Sequence, residues 1–238
     1  MTRLLAIDTT GDVCSLALKD GNSLFECHQS MPRQHARQIL PLLEQLFAES
    51  GWARTSLDAV VYGRGPGSFT GIRIAAGIAQ GIALGADCGV IPVSTLQTLA
   101  MEASHSKPDV TSLWVALDAR MSELYVARYR VEQGFPYLQE KEALLKPDRL
   151  PEPPSIDTRA TTQLVGNGWQ TDYGFSQPWT AWLASEPPLL SLPRARWGAE
   201  LALQLLQRDA GVKVPPEQAL PVYLRDKVTW DKKPRVGE

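Results

Sequence analysis

The sequence predicts an α/β protein of two lobes that repeat one pattern. Three observations carry this. First, Leu5-Ala6-Ile7-Asp8, a turn and Ser15-Leu16-Ala17-Leu18 recur as Val115-Ala116-Leu117-Asp118, a turn and Tyr125-Val126-Ala127. The offset is 110 residues, from Asp8 to Asp118 and from Ala17 to Ala127. Each copy reads as an apolar strand ending in Asp, a short polar turn and a second strand, so each lobe opens on a β-hairpin. Second, the remainder of the first half alternates helical and strand periods. Third, Val60 to Arg73, VVYGRGPGSFTGIR, is a glycine-rich turn from strand to helix. Together these give mixed sheets flanked by helices.

In order along the chain, Arg33 to Ser50 places Ile39, Leu42, Leu43, Leu46 and Phe47 at helical spacing, with Gly51 as the C′ residue. Pro41 bends that helix or marks a late start. Leu57 to Tyr62 is a buried strand. It feeds a turn on Gly63, Gly65, Pro66 and Gly67, and Ser68 or Thr70 caps the next helix, about Thr70 to Leu84. Val90 to Val93 is a short strand, and Ser94 caps a helix through Ala103. Ser104 to Asp109 breaks the pattern and divides a first lobe, 1–105, from a smaller second lobe, 106–220, and a tail, 221–238. In the second lobe the hairpin continues into a strand near Tyr137 to Leu145. Pro151 to Pro154 is a surface loop. A further strand ends at Gly166-Asn167-Gly168-Trp169, which is a turn or a nucleotide contact. Residues 172–192 show no clear period, and a helix from Arg194 to Arg208 closes the lobe before Gly211. Five of the seven tryptophans fall in this half before the tail, and they read as packing for a small irregular core rather than a ligand cage.

Composition narrows the function. The 238 residues suit one large or two small domains, and 44% hydrophobic content supplies a core. The net charge is −2 and the pI about 6.0. No Lys/Arg cluster marks a face that would grip nucleic acid alone. Lys232, Lys233 and Arg235 read as a solvated end. Cys14, Cys27 and Cys88 cannot pair completely, and the start reads as free of a signal peptide, so reduced thiols and a cytoplasmic location are expected. No apolar run reaches the ~20 residues that span a bilayer.

The helix from Thr70 to Leu84 is apolar on every side. Gly71, Ala75, Ala79 and Ala83 form one small row, and Gly77, Gly81 and Gly85 another. Only Arg73 and Gln80 are strongly polar. Such a helix needs cover all round. A sheet covers one face; the other takes a partner chain or, in the plainer reading, a further helix of the same core. The turn before it has two readings as well. Its bare N–H groups and the helix dipole suit an anion, or its glycines only permit close packing. It is neither a P-loop, since Gly71 leads into Ile72 and Arg73, nor a dinucleotide fingerprint, since Ser68 holds the sixth position.

Asp8-Thr9-Thr10 sits at the first hairpin turn and Asp118 at the matching place in the repeat. Facing turns with carboxylates resemble the actin/hexokinase/Hsp70 (ASKHA) superfamily, where the acids hold Mg²⁺ and the turn hydroxyls hold phosphates. Here the turns lack that family's glycines and lysine, and the second carries Arg120 and Met121. They read as a vestigial phosphate site. His28, His35 and His105 have no ligand spacing, so no metal is expected. Ser68 lies in GPGSFTG, not in a nucleophile elbow.

MTRLLAIDTTGDVCSLAL, QHARQILPLL, AVVYGRGPGSFTGIRIAAGIAQGIALG, ALDARMSELYVARY, VGNGWQ and PVYLRDKVTW resemble the TsaB (YeaZ) family nearly end to end. The resemblance implies a duplicated actin-like fold. It also implies a place in the bacterial machinery that makes N6-threonylcarbamoyladenosine in tRNAs reading ANN codons. There the paralogue TsaD carries the metal and transfers the group, TsaE is an ATPase, and the TsaB member is a scaffold without catalytic residues that pairs with TsaD and self-associates. tRNA is reached only through the complex, ATP and metal stay on the partners, and family tools carry a glycoprotease label. TsaD's paired histidines have one counterpart here, His35. The expected interface is the two long helices, through His35, Ile39, Leu42, Gly71, Arg73, Ala75, Ile78, Ala79 and Ile82. The alternatives are an active actin-like kinase or ATPase, and a peptidase.

Overall fold

The structure, a computed structural model, describes residues 2–170 and 172–225. Among them, ten strands form two sheets. The first contains β1 (Leu4–Asp8), β2 (Val13–Asp20), β3 (Ser23–Ser30), β4 (Ala59–Gly65) and β5 (Gly89–Ser94), in the order β3-β2-β1-β4-β5. The second contains β6 (Ser112–Asp118), β7 (Leu124–Glu132), β8 (Phe135–Leu138), β9 (Ala143–Leu145) and β10 (Thr162–Val165), in the order β10-β6-β7-β8, with β9 also on β7. Each sheet is an antiparallel three-strand meander whose first strand then pairs in parallel with a later one, β4 or β10. The duplication is therefore topological as well as sequential. It slips by one residue at the turn. Ala6 pairs with Ala17, but Ala116 pairs with Val126, so the second turn is one residue shorter than the constant offset implied.

Among the described residues, five α-helices flank the sheets: α1 (His35–Ser50), α2 (Phe69–Ala86), α3 (Thr95–Ser106), α4 (Gln177–Ser185) and α5 (Ala195–Arg208). β1 is buried along its whole length because both faces are covered. Leu5 and Ile7 pack under α1 and α2; Leu4 and Ala6 pack under α5. Helix α5 was expected to close the second lobe. It instead covers the first sheet, with Ala195, Ala199 and Ala202 against Ala17, Val61 and Ile91. In return α3, from the first half, lays Leu96, Leu99 and Ala103 on the second sheet. The two helices also touch each other, His105 against Trp197 at 4.9 Å. A polar seam joins the lobes nearby. Glu142, between β8 and β9, accepts from Ser94 Oγ and pairs with Arg64 at 3.5 Å, with Tyr129 Oη also at 3.5 Å.

Several boundaries differ from expectation. Arg33 has φ of +64° and Gln34 is the N-cap, so α1 begins at His35. Pro41 is accommodated inside it, and Gly51 at φ +68° ends it by donating its N–H to Phe47 O. α3 continues to Ser106, which confines the break to 107–109. The edge strand β3 and the helix α4 were not anticipated. Trp114, Trp169, Trp179 and Trp182 pack together on the outer face of the second sheet, as the packing reading required. The basic tail residues Lys232, Lys233 and Arg235 lie outside the described residues.

α2 settles the question of its two small rows. Gly71, Ala75, Ala79 and Ala83 face the first sheet and are buried, Ala79 completely. Gly77, Gly81, Leu84 and Gly85 are exposed, and Ile74, Ile78 and Ile82 lie half-buried between. At 18 residues α2 is, by length and composition, apolar enough to cross a bilayer, although no apolar run of that kind was expected. Here its inner row is part of the sheet core.

Ala79→Arg should therefore unfold the protein, since an unpaired buried charge costs more than about 3 kcal/mol. Gly81→Arg adds a side chain where nothing lies within 4 Å, and should change stability by less than about 1 kcal/mol, in the favourable direction. Urea denaturation of the two variants measures both.

Candidate functional site

The first hairpin turn and the glycine-rich turn meet in a closed corner. Asp8 ends β1 and is 4% exposed. Its Oδ1 accepts from the Thr10 N–H at 2.9 Å and the Thr10 hydroxyl at 2.7 Å. Burial pushes its carboxyl up to about 6, against the lowering effect of those two Thr10 bonds. The Thr9 hydroxyl donates to Gly71 O at 2.7 Å, and the Ser68 N–H donates to Thr10 O at 2.7 Å. A Cβ at Gly63 would overlap Asp8 Oδ2; one at Gly67 would overlap Thr10 O; one at Gly71 would overlap Thr9 O. Ser68 is the N-cap of α2 and accepts the Gly71 N–H. The glycines thus serve close approach of two backbone turns. At the start of α2 the Ser68 N–H is taken by Thr10 O and the Gly71 N–H by the Ser68 hydroxyl.

The second turn is also bound internally. Asp118 accepts from the Tyr173 hydroxyl at 2.8 Å and from the Arg120 N–H at 2.7 Å, while its own N–H donates to Asn167 Oδ1 at 3.2 Å. Arg120 reaches Asp118 at 3.6 Å and Asp12 of the first turn at 3.3 Å, so a cation bridges the two hairpins. Arg120, Met121 and Ser122 all have positive φ, 62°, 56° and 55°. Gly166, at φ +99°, and Gly168 both pack against Ala116. Among the described residues, no three His, Cys, Asp or Glu side chains stand close enough to share a metal ion.

The expected interface residues divide. Gly71, Ala75 and Ala79 point into the core, and so does Ile39, because the row that can approach a neighbour closely is already against the sheet. His35, expected at the interface, is 6% exposed, and its Nε2 has no partner among the described residues. Ile78 and Ile82 are half-buried at the margin of an open face, and Arg73 stands on it; Leu42 is half-buried on the other flank of α1, in a groove with Glu26, Cys27, His28 and Gln29 of β3. Its guanidinium lies 3.4 Å from the centre of the Phe69 ring and 5.3 Å from that of Tyr223. The face lies on the two expected helices, but its most exposed apolar residues were not among those named. It carries Leu40 of α1, 54% exposed, and Phe69 and Leu84 of α2, 42% and 76% exposed. The second glycine row was its signal. A row of alanines buries methyl groups on a sheet, and a row of glycines has none to bury.

The family model for TsaD, tRNA N6-adenosine threonylcarbamoyltransferase, matches residues 29–206. Over the full length, however, the likeness is to another branch. The tRNA threonylcarbamoyladenosine biosynthesis protein TsaB of Escherichia coli is 40% identical, covering 98% of both chains. That of Haemophilus influenzae is 36% identical over 97% of both. A threonylcarbamoyltransferase from Herminiimonas arsenicoxydans matches only 27% of this chain and 19% of its own. The chain belongs to the TsaB family. The solved structure of YeaZ from Pseudomonas aeruginosa superposes with a TM-score of 0.80 at 36% identity, covering 94% of this chain and all of that one. The fold is the duplicated actin-like fold that the resemblance implied.

Asp8 gives the corner a pH signature. Its carboxyl is held near 6 in the fold against an ordinary 3.8. Folding therefore favours the protonated acid. That contribution is fully present below about pH 4 and is lost as pH rises through 6. Asp8→Asn keeps the acceptor for Thr10 and removes the charge. It should stabilise the protein by about 3 kcal/mol at pH 8 and by progressively less toward pH 4, as read from urea midpoints across that range.

Proposed function

We propose that this chain is a non-catalytic partner subunit in the synthesis of N6-threonylcarbamoyladenosine on tRNAs reading ANN codons. It pairs with a TsaD-type transferase and supports a TsaE-type ATPase in the cytoplasm. It reaches tRNA only through the complex, and ATP and metal stay on its partners. The reading rests first on full-length likeness to proteins named for that biosynthesis. The single structural observation that carries it is the open face of α1 and α2, apolar and rich in exposed glycine, on a chain whose first hairpin turn packs its own Thr9 and Thr10 against the start of α2. The TsaD model matches the stretch that contains both helices. A TsaD-type partner therefore presents a related helix pair, and two related pairs can pack about an approximate two-fold axis. A second copy of this chain can use the same face. A peptidase reading gains no support from Ser68, which is occupied in capping α2.

Purified TsaD-type transferase should bind the wild-type chain, and Gly81→Arg should weaken that binding by roughly two orders of magnitude, about 2.7 kcal/mol. Unchanged affinity of Gly81→Arg would remove the face from the interface. Calorimetry of the isolated chain with Mg-ATP should show no binding tighter than about 10 µM, near −7 kcal/mol, and no turnover. Tight binding or hydrolysis would select the kinase/ATPase alternative.

A further inference from the structure

The segment 219–225 crosses from one sheet to the other. Ala219 is buried in the core that α1 and α2 form with the first sheet, and Leu224 packs against the core of the second. Three hydrogen bonds seat its start on the first sheet and α2. Gln80 Nε2 donates to Ala219 O at 3.1 Å, the Tyr62 hydroxyl to Leu220 O at 3.2 Å, and the Val222 N–H to Arg64 O at 2.8 Å. Gly65, at φ +103°, lies beneath it, and a Cβ there would stand 2.8 Å from Val222 O. The Tyr223 ring rests 5.5 Å from that of Phe69, so the segment also borders the open face of α2. At its far end Arg225 grips the second hairpin turn. It pairs with Glu123 at 2.6 Å and donates to Ala119 O at 3.1 Å and Met121 Sδ at 3.7 Å. The Arg225 and Glu123 side chains are both mostly buried.

The direct links between the two hairpin turns are weak. Arg120 and Asp12 are 73% and 61% exposed, and an ion pair so open to water contributes little. The Tyr125 hydroxyl reaches Gly67 O only at 3.5 Å. The turn that Arg225 grips is also strained. Arg120, Met121 and Ser122 stand in succession in the left-handed region, where Cβ crowds the following carbonyl. Inside the turn the Arg120 N–H donates to Asp118 Oδ1, the Ala119 N–H to Glu123 O at 2.9 Å and the Glu123 N–H to Arg120 O at 3.1 Å. Arg225 adds an outside hold on Ala119, Met121 and Glu123. Strain in the turn works against that hold, so the turn relaxes when the hold is released. Arg64 is fixed from two sides, its carbonyl by Val222 and its guanidinium by Glu142 of the second lobe, which also accepts from Ser94.

We propose that the segment 219–225 is a clasp. It holds the two hairpin turns together and keeps the strained second turn in place, so that the conformation of residues 119–123 depends on a segment seated on the first sheet. Hydrogen exchange of single amides in the full-length chain tests this, with the β1 amides monitoring global unfolding. Val222 reports one end of the clasp; Ala119 and Glu123 report the other. All three should be protected in the wild type. Each variant is read at the end it does not touch. Arg225→Met should raise exchange at Val222 at least tenfold, and Val222→Pro should do the same at Ala119 and Glu123, with β1 unchanged. Tyr62→Phe removes only the hydroxyl tie to Leu220 and should raise exchange at Ala119 and Glu123 several-fold. It carries the test if Val222→Pro also speeds exchange in β1. An unprotected Val222 amide in the wild type overturns the clasp. So does wild-type exchange at Ala119 and Glu123 in Tyr62→Phe together with wild-type exchange at Val222 in Arg225→Met, since Arg225 then holds only the turn it touches.

Discussion

Three missing methyl groups hold this fold together at its centre. Gly63, Gly67 and Gly71 let the turn after β1 sit where side chains would otherwise stand. The Thr9 hydroxyl and the Thr10 carbonyl then bind the start of α2 directly. That contact sets the distance between β1 and α2, and with it the depth at which Ala75 and Ala79 enter the core. It also explains why Asp8 is buried with only Thr10 for support. The carboxylate is carried inward by a turn whose position is decided elsewhere.

The same helix illustrates how one apolar sequence serves two purposes. Toward the sheet, alanine supplies methyl groups that leave water on folding. Toward the outside, glycine removes bulk, at a cost to helix stability of about 1 kcal/mol each relative to alanine. A core gains nothing from that outer row. A neighbouring helix gains close approach.

The hairpins were legible because their strands are apolar and end in Asp at matching places. The one-residue slip was not, since it lies in the turn, where no periodicity reports length. β3 was hidden because FECHQS, half-exposed at a sheet edge, has little alternation to detect. α4 was hidden because it is nine residues long and set among prolines, with Trp179 and Trp182 its only inward marks. Both small rows of α2 could be read, but not which faced inward. The filled corner was beyond sequence for a similar reason. Glycines that admit a phosphate and glycines that admit a carbonyl oxygen look alike until their neighbours are placed.

The exchange of α3 and α5 reaches further than packing. Each half of the duplicated chain supplies a sheet, and each sheet is roofed by a helix encoded in the other half. A gene split at residues 107–109 would yield two fragments, each with an apolar sheet face left open and a helix without a sheet. The repeat is thus an interleaved unit in which neither half closes its own core. Its long-range contacts also defer completion of either core until the far end of the chain has emerged. Nascent chains of this protein spend most of synthesis with the α5 side of the first sheet bare, a period in which chaperone binding or a related sheet edge competes with the chain's own helix.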